Sequence, residues 1–103
     1  MNKIDHLLKY LENEPEDSFL NHALALEYMK TQDYEQALTL FKKILEKDPD
    51  YLGSYYHLGK LLEAMNNYEA AKEWYEKGMI KAKAAGDTKK YNELMEACND
   101  LDD

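Results

Sequence analysis

The sequence predicts an all-α fold in which antiparallel helix pairs stack side by side, and two observations carry that expectation. First, the chain resembles itself at a shift of 34 residues: Leu24, Tyr34, Glu35, Ala37, Phe41 and Lys43 return as Leu58, Tyr68, Glu69, Ala71, Tyr75 and Lys77, and Pro15 returns as Pro49. A fixed period at positions that are apolar, small or helix-ending marks the repetition of one supersecondary unit. Second, each period holds two segments with apolar residues at helical spacing, separated by a short polar turn. Neither segment can hide its apolar face alone, so neighbouring units must cover one another.

The first helix, expected over 3–14, places Ile4, Leu7, Leu8 and Leu11 at helical spacing and stops before Pro15. Shifted by 34, Leu7, Leu11 and Pro15 fall on Phe41, Leu45 and Pro49, so this segment reads as the second half of a truncated repeat and a cap on the stack. A first full repeat follows over 18–49. Its opening helix has Leu20, Leu24, Leu26, Tyr28 and Met29 over more than half its circumference, as a helix with two neighbours requires, and Asp17 or Ser18 caps it. Thr31-Gln32-Asp33 breaks the pattern, and Asp33 with Gln36 reads as a capping box for a helix that buries Ala37, Leu38, Phe41, Ile44 and Leu45.

A second repeat, expected over 52–85, copies this plan with Asn66-Asn67 as its turn. Gly59 inside its first helix costs about 1 kcal/mol against alanine, which close approach of the partner helix would offset; Ala71 is the expected partner in that crossing. No proline stands at Lys83, so the second helix runs on toward Gly86. A last helix over 88–101, opened by Asp87 or Thr88, carries Tyr91, Leu94, Met95, Cys98 and Leu101 on one face and mostly charge elsewhere, the pattern of a terminal cap.

Composition bounds the function classes. At 103 residues the chain is read as one domain, 1–103, with 13 basic against 21 acidic residues and a net charge of −8. That balance argues against nucleic acid and against anionic membrane. No apolar run approaches a membrane span, the first residues lack the core of a signal peptide, and the single cysteine, Cys98, has no internal partner; cytoplasmic localisation is the expectation.

The residues resemble the tetratricopeptide repeat, a helix-turn-helix unit with the pattern W-x2-L-G-x2-Y, A-x3-F and P. The second repeat offers Tyr55-x2-Leu58-Gly59-x2-Leu62 and Ala71-x3-Tyr75; the first offers Asn21-x2-Leu24-Ala25-x2-Tyr28, Ala37-x3-Phe41 and Pro49. Asn21 in the tryptophan position and Lys83 in the proline position depart from it. The last helix matches at a shift of 36, with Tyr91, Leu94, Met95 and Cys98 on Tyr55, Leu58, Gly59 and Leu62. The resemblance implies a right-handed superhelical stack whose first helices line a concave groove for a peptide or a partner helix. By position that groove takes Phe19, His22, Leu26, Met29 and Lys30 from the first repeat and Tyr56, His57, Lys60 and Glu63 from the second. Some members hold acidic chaperone C-termini with lysine, asparagine and arginine; here the corresponding positions hold His22, Leu26 and His57, with Gly53 at a further one, so that clamp is missing.

The resulting expectation is a non-catalytic scaffold or adaptor that binds a protein or peptide. The rival reading is a structural homodimer using the same helical surfaces. Trp74 and Leu40 share one repeat position at the edge of the apolar stripe and belong either to the core or to an outer contact patch. No phosphate loop, nucleophile elbow or HExxH motif occurs, and His6, His22 and His57 lack a second ligand at close helical spacing, so no catalytic residue, cofactor or metal is expected.

Overall fold

The computed structural model describes residues 2–102, and among them lie six α-helices and no strand: α1 (Lys3–Asn13), α2 (Ser18–Lys30), α3 (Tyr34–Lys47), α4 (Leu52–Ala64), α5 (Tyr68–Ala84) and α6 (Thr88–Asp100). The all-α stack expected from the sequence is the fold found. Three of the five joints are the same turn. After α2, α4 and α5 the residue next past the helix cap, Gln32, Asn66 or Gly86, takes a left-handed backbone with φ of 62°, 62° and 71°. Its amide and the following one return to the helix, as Gln32 N to Met29 O (3.1 Å) and Asp33 N to Tyr28 O (2.8 Å) in the first case. This pairing satisfies carbonyls that the helix end would leave open.

The residue closing each turn is also the N-cap of the next helix. Asn67 accepts from the Ala70 amide and Asp87 from the Lys90 amide. The capping box expected at Asp33 does not form: its carboxylate makes no cap hydrogen bond and accepts instead from the Thr31 hydroxyl at 2.6 Å, two residues back. At the start of α2 the cap is Asp17, which accepts from the Leu20 amide at 2.8 Å, while Ser18 donates to Asp48 at the end of α3.

The two proline joints are also built alike. Asn21 and Tyr55 hold the same repeat position, and each donates to the carbonyl of the proline six residues earlier: Asn21 Nδ2 to Pro15 O at 3.1 Å, and Tyr55 Oη to Pro49 O at 2.6 Å. Asn21, a departure by sequence pattern, is buried and performs the hydrogen bond of its counterpart.

The core runs the length of the stack through Leu24, Ala25, Ala37, Phe41, Ile44, Leu58, Leu61, Ala71, Tyr75, Ala82, Leu94 and Ala97. Trp74 and Leu40 are half-buried and pack against it, Trp74 with its ring centroid 6.2 Å from that of Tyr55 and the Lys77 ammonium above its face. The group nearest to Gly59 is the buried ring of Tyr75, rather than Ala71.

Each helix packs on its chain neighbours. In addition α2 touches α4 and α4 touches α6, whereas among the described residues α1, α3 and α5 make no such contacts with one another. Inner helices that meet and outer helices that splay apart give a curved stack, 41 × 29 × 19 Å, with α2, α4 and α6 along its inner side.

Candidate partner-binding groove

The inner side is where the expected groove residues fall, but the structure divides them. Leu26, Met29 and Lys30 of α2 share one depression of about 400 Å³ with His57 of α4. Tyr56, His57 and Lys60 line a second of about 380 Å³, so His57 joins the two. His22 lines a neighbouring depression with Tyr51, Gly53 and Lys90, its ring centroid 5.2 Å from that of His57 and 5.6 Å from that of Phe41. Phe19, 69% exposed, stands apart with Tyr10 and Leu20 around a separate hollow near the α1–α2 turn.

Several of these side chains also hold the fold. The hydroxyl of buried Tyr75 donates to Glu63, and Lys60 pairs with the same carboxylate at 3.6 Å while lying over the Tyr56 ring. Glu63 is thereby drawn toward the core rather than left free for a ligand. Lys30 is taken up by Glu27 at 3.1 Å, which also pairs with Lys3 at 3.6 Å.

His22 Nδ1 and the hydroxyl of Ser54 share a hydrogen bond of 2.8 Å that ties α2 to α4. Ser54 is fully buried, so this pair offers no accessible hydroxyl. Burial, with the charges of His57 and Lys90 adding to it, pulls His22 down to about 4, and burial followed by Lys90 lowers His57 as well. Both imidazoles are neutral near pH 7 and present apolar edges with hydrogen-bonding nitrogens. Burial, followed by Glu76, raises the Cys98 thiol, which keeps it protonated and unreactive.

The sequence pattern of α6 is that of a terminal cap, and the structure adds that α6 lines a depression together with α4. Lys90, Glu93, Glu96 and Asp100 form the far wall of the depression beneath Tyr56 and Lys60, with buried Leu94 and Ala97 at its floor. The shift of 36 that aligns α6 with α4 gives it the position of the first helix of a further repeat, beside α4 on the inner side. Among the described residues no helix is long and apolar enough to cross a membrane.

Comparison with known proteins agrees with this architecture. A family model described as tetratricopeptide repeat matches residues 28–98. The chain is 41% identical to a tetratricopeptide repeat domain protein from Salinibacter ruber, whose solution structure superposes with a TM-score of 0.81 over 84% of this chain and 88% of that one. It is 27% identical over 99 residues to the TPR repeat-containing protein PA0015 of Pseudomonas aeruginosa, covering 96% of this chain and 94% of that protein. A 39% identity over 59 residues links it to human tetratricopeptide repeat protein 12, where the match takes in 57% of this chain and only 8% of the human protein's length. A repeat period, a helix order and a sequence likeness thus converge, and the chain belongs to the tetratricopeptide repeat family.

Proposed function

We propose that this chain is a non-catalytic interaction module that takes up a polypeptide segment along the inner face of α2, α4 and α6. The tetratricopeptide repeat fold generally mediates protein–protein interaction. The observation that carries the finer reading is the pair of depressions joined at His57, one walled by Leu26 and Met29 and the other by Tyr56, Lys60 and α6. Leu26, Met29 and Tyr56 are only partly buried, and adaptable methionine beside aromatic rings suits a surface that accepts a side chain from outside.

The test is selection of binders from a displayed random peptide library, followed by amide chemical-shift mapping of each selected peptide on the labelled chain. Shifts centred on Leu26–Lys30, Tyr56–Lys60 and Glu93–Asp100 are expected. Leu26→Glu, a change at a partly buried position, should abolish capture while the helical circular dichroism is retained. Shifts confined to the outer helices α3 and α5, or an absence of selectable peptides, would overturn the reading.

A further inference from the structure

From the charge arrangement of α6 we infer that the groove selects a cationic segment: a strand with apolar residues over Leu26 and Tyr56 and a lysine or arginine against Glu96 and Asp100. This rests on the groove reading above and adds the chemistry of the occupant.

The two lysines of the depression beneath Tyr56, Lys60 and Lys90, each have a carboxylate of their own helix within 4.0 Å. Lys60 Nζ lies 3.6 Å from Glu63, and Lys90 Nζ lies 4.0 Å from Glu93, each pair one helical turn apart. An acidic ligand would have to displace those carboxylates to gain either ammonium. Glu96 and Asp100 have no ion pair among the described residues, are exposed, and line the same depression as Tyr56 and His57. Their spacing of four residues puts them one above the other on α6. They also occupy the C-terminal half of that helix, where the backbone dipole is negative and adds to the attraction for a cation.

The apolar parts complete the description. Leu94 and Ala97 are buried beneath the depression, Tyr56 stands on its α4 side under the Lys60 ammonium, and the second depression, which shares His57, adds Leu26 and Met29. A guanidinium or ammonium on a long aliphatic stem fits this combination, because the stem lies on apolar surface while its head reaches the acids. The net charge of −8 steers the same kind of partner at longer range. Arginine is favoured over lysine where the head reaches both carboxylates.

The experiment repeats the random-library selection at low ionic strength with three proteins: the natural chain, Glu96→Lys/Asp100→Lys, and Glu96→Gln/Asp100→Asn. Both variants keep α6 intact, since neutral or basic residues near a helix C-terminus suit the dipole, and circular dichroism verifies it. Peptides from the natural chain should be enriched in lysine and arginine, should lose about tenfold in affinity for the reversed variant, the size of two surface pairs turned from attraction to repulsion, and should bind the neutral variant in between. Their affinity should fall with added salt. Selected peptides that map to the groove without a basic excess, or that bind all three proteins alike, would overturn the charge selection while leaving the groove reading standing. If no selected peptide maps to the groove, both readings fall.

Discussion

The ring of Tyr75 fills the space in which a β-carbon at Gly59 would lie. A Cβ built there falls within 3.0 Å of three atoms of that ring, and the ring is fully buried with its hydroxyl held by Glu63. The glycine is therefore a packing residue: it costs helix propensity and lets α4 and α5 close on each other through the aromatic side chain.

Gly59→Ala should accordingly lower stability. Overpacking a tight core costs about 1–3 kcal/mol, against about 1 kcal/mol of helix propensity gained, so a net loss of up to about 2 kcal/mol is expected in urea unfolding. Gly53→Ala is the contrast, since its Cβ would meet only His22 Cε1 at 3.8 Å, an ordinary contact. That change should leave stability unchanged or raise it slightly. Adding Tyr75→Leu to Gly59→Ala should show coupling in a double-mutant cycle; strict additivity would mean that the ring is not what excludes the β-carbon.

The three like turns predict opposite effects for opposite exchanges. Gly86 has nothing within 4 Å of a built Cβ, so the cost of Gly86→Ala is the left-handed backbone alone, about 1 kcal/mol. Gln32 adopts nearly the same backbone without being glycine, and Gln32→Gly should gain a similar amount. Asn66→Gly should gain less, because asparagine tolerates this region better than glutamine. Thermal unfolding of the three single variants checks the order; a loss at Gln32→Gly would contradict it.

Asn21 and Tyr55 should respond alike to removal of their donors. Asn21→Ala leaves the Pro15 carbonyl without its side-chain donor, and Tyr55→Phe does the same at Pro49. Each should lose about 1 kcal/mol. Hydrogen exchange should quicken at Leu20, the amide bonded to Asp17 within the loosened joint, in the first variant only. Equal exchange there in both proteins would mean that Asn21 does not hold the joint.

How much of this was legible in the sequence depends on what kind of information each feature needs. The buried positions Leu24 and Leu58, Ala37 and Ala71, Phe41 and Tyr75 were readable because residue type at a fixed period reports burial directly. Asn21 was not, since its polarity masks a role that depends on where the Pro15 carbonyl points. Spacing puts Gly59 and Ala71 at one helix crossing, whereas the long reach of Tyr75 decides which atoms fill the space beside Gly59. Alignment places Leu26, Met29, Tyr56, His57 and Lys60 around adjoining depressions, whereas Phe19, at the first turn of α2, lines a separate hollow with Tyr10. Glu63 was chosen for its register, and only the hydroxyl of Tyr75 reveals its second attachment.

The buried histidines give the last prediction, a loss of stability on mild acidification. His22 is held at about 4 in the folded chain, chiefly by burial, with the His57 and Lys90 charges facing it, while an unfolded histidine titrates near about 6.5. Between those values the unfolded chain binds the proton and the folded chain does not, so the stabilisation is complete above about pH 6.5 and is lost as pH falls toward 4. His57, lowered by burial and then by Lys90, acts in the same sense. Glu16, lowered mainly by its hydrogen bond from Lys47, and Glu27, lowered mainly by that from Lys30, contribute losses only below the ordinary carboxylate range. Comparing Tm at about pH 7 and about pH 5 therefore isolates the imidazoles. One proton gives at most about 1.4 kcal/mol per pH unit, and partial exposure of the pair brings the effect below that ceiling, so a drop of several degrees is expected for a chain of this size. His22→Gln keeps a polar group within reach of Ser54 and removes the titration, and its Tm should fall less over the same interval. An equal fall in both proteins would place the pH sensitivity elsewhere than in the contact between α2 and α4.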